Sequence, residues 1–159
     1  MTNQPWIDEA RKFIGLKEIE GSQHNPEILQ FWKDIKRGGI KSDEVPWCAA
    51  FVGAMLERSG IQSSRFEGAK SYLGWGRTLI APVVGCVGVL ARAGGGHVVF
   101  VVGVDTNGDL LCLGGNQDDE VNIRAFPFER FVGFRYPEGR PLPEEKLPVF
   151  SAAISNSEA

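Results

Sequence analysis

The chain has 159 residues, of which 43% are hydrophobic and 23% charged, with a formal net charge of −3. That length allows one domain with a real core, and the charge leaves no basic footprint for nucleic acid or an anionic membrane surface. No apolar run exceeds strand length, so no membrane insertion is expected. The first residues lack the basic-then-apolar order of a signal peptide, which predicts synthesis in the cytoplasm. Three cysteines, Cys48, Cys86 and Cys112, cannot all pair within one chain and match no zinc spacing. At least one free thiol in a reducing compartment follows.

Residues 6–16 read as a first amphipathic helix, with Trp6, Ala10, Phe13 and Ile14 sharing a face. A polar loop carrying His24 follows. Asn25 before Pro26 and Glu27 has the form of a helix N-cap followed by its first turn. This second helix carries Ile28, Leu29, Phe31, Trp32 and Ile35 and stops at Gly38-Gly39. The acidic pair Asp43-Glu44 leads to Pro46, which fixes its own φ and disfavours helix at Val45. A third helix then opens at Cys48. Ala50, Phe51, Ala54, Met55 and Leu56 suit a buried helix, and Arg58 followed by Ser59-Gly60 forms its exit.

After Gly60 the pattern changes. Residues 69–75 read as a short helix or turn, and apolar or β-branched runs recur at 86–90, 97–104, 110–113, 121–126 and 131–136. Turn signals separate them, the strongest being Asn107-Gly108 between two apolar runs. Helices first and strands afterwards spell α+β: N-terminal helices packed on an antiparallel sheet of about five strands. Residues 1–137 form the domain, and 138–159, rich in Pro, Glu and Ser, are expected to be a mobile tail.

Three residues stand out chemically. Unpaired N–H groups and the positive end of the helix dipole favour a thiolate at Cys48, and the thiolate is the nucleophilic form. A cysteine is also a common small core residue, so its neighbours must carry the assignment. His24 reads as a surface residue. His97 opens an apolar strand directly after Gly94 to Gly96, which leave room for a substrate backbone. Folding the Asn107-Gly108 hairpin brings Asn116 near the start of that strand, where an amide can hold the ring toward Cys48. Cys48, His97 and Asn116 then follow the logic of nucleophile, base and orienter; the plain alternative for Asn116 is a turn residue in the left-handed region.

The segments Pro46-Trp47-Cys48-Ala49-Ala50-Phe51-Val52, Gly95-Gly96-His97-Val98-Val99-Phe100 and Leu113-Gly114-Gly115-Asn116-Gln117 resemble the CHAP-type (cysteine, histidine-dependent amidohydrolase/peptidase) cell-wall hydrolases, a small single-domain group of bacteria and phages. The resemblance covers residues 6–136 and implies a papain-like, NlpC-like fold that needs no metal or cofactor. It implies peptidoglycan as substrate and cleavage of an amide or peptide bond by Cys48 and His97, with Asn116 orienting the ring. Many relatives have an acid at this end of the sheet. Here the corresponding position is Gly114, with Gln117 and Asp118 as nearby substitutes.

Trp47, Asp43, Glu44 and Gln117 are the residues expected at the substrate, and the acidic pair favours a peptide stem bearing free amines. An endopeptidase is therefore slightly preferred over an N-acetylmuramoyl-L-alanine amidase. The expected protein is a monomeric, endolysin-like lytic enzyme that acts on the wall in the periplasm or outside the membrane. The alternatives are an antibacterial toxin paired with an immunity protein, or a non-catalytic module that binds wall peptide.

Overall fold

The computed structural model describes residues 3–19, 24–42, 45–92 and 95–151. The expected pair Asp43 and Glu44 lies outside the described residues. No helix among the described residues is long and apolar enough to cross a membrane.

The first helix, α1 (Pro5–Arg11), starts on a proline whose preset φ suits a first helical turn, and it buries Trp6, Ile7 and Ala10. It ends five residues short of the expected 16. Gly15 takes a φ of 100°, its N–H donates to Val121 O at 2.9 Å, and Leu16 O accepts from Val121 N–H at 2.9 Å. Pairing with the far end of the sheet has displaced the last helical turn. The second helix, α2 (Pro26–Asp34), is capped as expected: the Asn25 side chain accepts from Glu27 N–H at 2.9 Å.

The third helix, α3 (Cys48–Arg58), runs through the centre, and its first nine residues are all buried. A helix apolar all round belongs inside a core. Its exit forms a Schellman motif: Ile61 N–H donates to Leu56 O and Gly60 N–H to Glu57 O, with Gly60 at φ 80°. Phe51 joins the layers, with its ring 5.6 Å from Phe31 of α2 and 6.5 Å from Phe100 of the sheet.

Six antiparallel strands form that sheet: β1 (Arg77–Leu79), β2 (Val87–Arg92), β3 (Gly95–Val104), β4 (Leu110–Gly114), β5 (Asn122–Phe126) and β6 (Phe131–Tyr136), in the order β1-β6-β2-β3-β4-β5. Strands β2 to β5 are a meander, and β6 returns to the free edge of β2. The strand beyond the expected five is β1, three residues without a hydrophobic period that pair with the end of β6. The β3–β4 turn forms at Asn107-Gly108, where Asp105 Oδ1 accepts from the N–H groups of Asn107 and Asp109.

Of the segment expected as a mobile tail, the described residues 138–151 make contacts with the domain, and 152–159 lie outside the described residues. Val104 N–H donates to Pro148 O at 2.9 Å, Phe150 N–H donates to Val104 O at 3.1 Å, and the Phe150 ring covers Gly103. Leu142, Leu147 and Phe150 pack on the core. Three isolated apolar residues carry no period, so sequence pattern alone hides this docking. Truncation after Gly139 should therefore lower the melting temperature by several degrees, since each half-buried apolar side chain contributes about 1 kcal/mol. An unchanged thermal melt would show that these contacts contribute nothing.

Candidate active site

Cys48 opens α3, with Trp47 as its N-cap residue. The loop after β4 passes close to that helix start. A Cβ on Gly115 would lie 2.6 Å from Trp47 Cζ3 and 2.7 Å from Phe51 Cβ, so only glycine fits there. Trp47 is fully buried, tilted against Phe31 at 6.4 Å. It offers no face to a substrate; packing of the glycine loop explains the residue where substrate contact was expected.

Cys48 is only 6% exposed. Burial pushes its thiol above the ordinary cysteine range, and the N–H groups of Val98, Ala49 and Cys48 itself, together with the Arg92 charge, pull the other way. Val98 directly follows His97, so the strand that carries the imidazole is also the one whose backbone favours the thiolate. Long separation in sequence becomes proximity through the packing of α3 on β3.

His97 is completely buried. Its Nε2 lies 2.9 Å from Gln117 Oε1, and its ring stands 5.8 Å from that of Phe126. Nδ1 is buried and takes no hydrogen bond. Burial lowers the ring's pKa to about 4, against the opposing hydrogen bond from Gln117, while Arg92 and Arg130 reinforce the lowering. At neutral pH the site thus holds a neutral thiol and a neutral imidazole.

The amide that meets the ring belongs to Gln117, not to Asn116. Asn116 has a φ of 59°, and Asp118 and Asp119 follow at 57° and 62°. This left-handed run turns the Asn116 side chain off the strand direction and carries the next residue back over β4. Gln117, 2% exposed, is buried behind the histidine and so is not a substrate-facing residue. A Cβ on Gly114 would lie 2.8 Å from Gln117 Oε1. The amide thus occupies the space that a side chain at position 114 would fill.

Sequence reasoning missed Asn122 and the two arginines. Asn122 is 7% exposed and bonds both to the side chain and to the backbone of Gln117; a polar residue at an inward strand position was the available signal. Leu90 is registered opposite both His97 and Phe131, which sets Arg92 and Arg130 at the same end of the sheet as the imidazole. Arg130 stacks over Phe126 at 5.3 Å. His24 plays no part in this cluster. A cleft of about 950 Å³ between α1 and residues 139–145 contains none of the residues named here, and the chemistry places the site elsewhere. Among the described residues no group of His, Cys, Asp and Glu side chains is arranged to hold a metal ion.

A cysteine opening the helix that packs on an antiparallel sheet, with a histidine on the strand beneath it, is the architecture of the papain-like α+β proteins. Residues 40–116 match the family described as the CHAP domain, and that match supports a cell-wall hydrolase of the CHAP type. The match supports a family of peptidoglycan hydrolases of amidase or peptidase type. No curated protein and no solved structure matches the chain.

Proposed function

We propose that the protein is a lytic, endolysin-like cysteine hydrolase of peptidoglycan in which Cys48 is the nucleophile and His97 the general base. The observation that carries this reading is the packing of the α3 N-terminus on β3, where the Val98 backbone favours the Cys48 thiolate and the neighbouring imidazole keeps one buried nitrogen unpaired. A buried nitrogen left without a partner needs a reason, and accepting a proton supplies one.

As the Cys48 sulfur attacks the substrate carbonyl, its proton passes to His97 Nδ1. The resulting oxyanion faces the helix N-terminus, where the Cys48 N–H is the donor nearest the new bond. The His97 imidazolium then protonates the leaving amine, the carbon–nitrogen bond breaks and a thioester remains on Cys48. Water gives its proton to the neutral ring, adds to the thioester and expels the Cys48 sulfur, which regains a proton as the acid departs. Starting from a neutral pair, the enzyme needs no preformed thiolate.

Cleavage within the peptide, from outside the cytoplasmic membrane, is the preferred reaction. Arg92 and Arg130 near the ring suit the carboxylates of a stem peptide, and the acidic pair preceding the cysteine helix suits its amines. Mass spectrometry of digested, purified peptidoglycan tests this. Shortened stems or opened cross-links are expected; complete stems released from intact glycan would instead make it an amidase acting at the sugar–peptide bond.

The pH dependence follows from the site. A base works while unprotonated, and a pKa held near 4 keeps the ring neutral well below the ordinary 6.5. The acid limb of kcat/KM on a soluble muropeptide should therefore fall below pH 6. The same shift makes the unfolded chain bind the proton first, so stability present above pH 6.5 is lost as pH drops toward 4. An acid limb at 6.5 or above would contradict the buried, neutral imidazole.

A further inference from the structure

We infer that Asn122 is a positioning residue: by fixing the Gln117 amide it holds the proton of neutral His97 on Nε2 and leaves Nδ1 as the basic nitrogen. The inference rests on the reading of His97 as base, but its central observable does not depend on hydrolysis. Asn122 and Gln117 both lie beyond residues 40–116, the segment that matches the family.

Gln117 Nε2 donates to Asn122 O at 2.9 Å, to Asn122 Oδ1 at 2.9 Å and to Cys112 O at 3.3 Å. Two of these are backbone carbonyls, which can only accept. Rotating the amide by half a turn would set its oxygen against three acceptors inside the protein, with no donor among them. Asn122 is fixed in the same way. Its Nδ2 donates to Gln117 O at 2.9 Å and to Glu120 Oε1 at 2.9 Å, so its own oxygen must face Gln117.

Each step leaves one orientation. The Gln117 carbonyl and the Glu120 carboxylate orient Asn122; Asn122, with the carbonyls of residues 112 and 122, orients Gln117; and Gln117 presents an oxygen to His97 Nε2 at 2.9 Å. That nitrogen must donate, so in the neutral ring Nδ1 carries the lone pair. Burial of all three side chains keeps water from substituting for any of these bonds. Gly114 leaves the space in which the Gln117 amide sits.

Nitrogen-15 NMR of the histidine rings tests this in the intact protein, with His24→Gln to assign the two spectra. The wild-type His97 ring is expected in one neutral form, protonated on Nε2; protonation on Nδ1 would overturn the inference without any further variant. Asn122→Ala keeps both backbone carbonyls but removes the side-chain acceptor of the Gln117 NH₂ and the donor to Gln117 O, so the amide is held less firmly, an Nδ1-protonated fraction should appear, and kcat should fall about tenfold with KM nearly unchanged. An unchanged tautomer and kcat would overturn it.

The second arm is rescue. A protonated carboxyl can give its O–H to the carbonyls of residues 112 and 122 and offer its other oxygen to Nε2, so Gln117→Glu added to Asn122→Ala should restore the Nε2-protonated ring and most of kcat. If Asn122 only supports the loop, the double variant stays as impaired as the single one, and that result contradicts the inference. Should the single variant fail to fold, the wild-type spectrum still decides. If muropeptides are not cleaved at all, the hydrolase reading falls while the tautomer measurement continues to judge the lock.

Discussion

Replacing Cys48 by alanine, or His97 by alanine, should reduce muralytic activity about a thousandfold or more while the protein stays folded. Cys48→Ala removes the atom that forms the thioester, and no second thiol can substitute. Cys86 and Cys112 are completely buried, and burial pushes both thiols upward, Cys86 to about 12. His97→Ala removes the only described imidazole at the site and leaves the neutral Cys48 thiol without a base. The two losses should not add, because each disables the same proton transfer. Circular dichroism and a thermal melt check the fold, and turbidity loss of a wall suspension reads the activity. Turnover by His97→Ala comparable with wild type would rule out the pair.

The largest loss of stability is expected at Phe51. Its side chain is fully buried between Phe31 of α2 and Phe100 of β3, and its Cβ borders the loop at Gly115. Phe51→Ala would open a cavity where the helix layer, the sheet and the active-site loop meet. Such truncations cost about 3–5 kcal/mol, which for a domain of this size is a fall of roughly 10 °C in melting temperature. Activity should fall as well, because the seat of Trp47 and of the α3 N-terminus goes with it. A change of one or two degrees would show that this junction is not where the layers are held.

Local signals made much of the architecture legible. The Asn25 cap, the Pro46 break before Cys48 and the Gly60 exit each specify a helix end through a nearby hydrogen-bond or φ requirement, and all three hold. The errors arise where distant backbone competes. Gly15 to Lys17 leave α1 to pair with residues 120 and 121, and Phe150 docks on Gly103 through contacts that no local period announces.

At the site, the helix start and the strand start were readable because each is a local element. The identity of the amide behind the ring was not. Hairpin register alone points to Asn116, but three left-handed residues in the following turn carry Gln117 there instead. Only the turn's φ values, which a sequence of Asn, Asp and Gln does not specify, separate the two.

The central claim is that Cys48 forms the covalent intermediate. Quenching turnover of a soluble muropeptide in acid, then digesting the enzyme and mapping adducts by mass spectrometry, tests it most directly. The expected result is a substrate-derived acyl group on the Cys48 peptide alone, absent when Cys48→Ala is treated in the same way. An acyl group on another residue, or cleavage that proceeds in the Cys48→Ala protein, would contradict it.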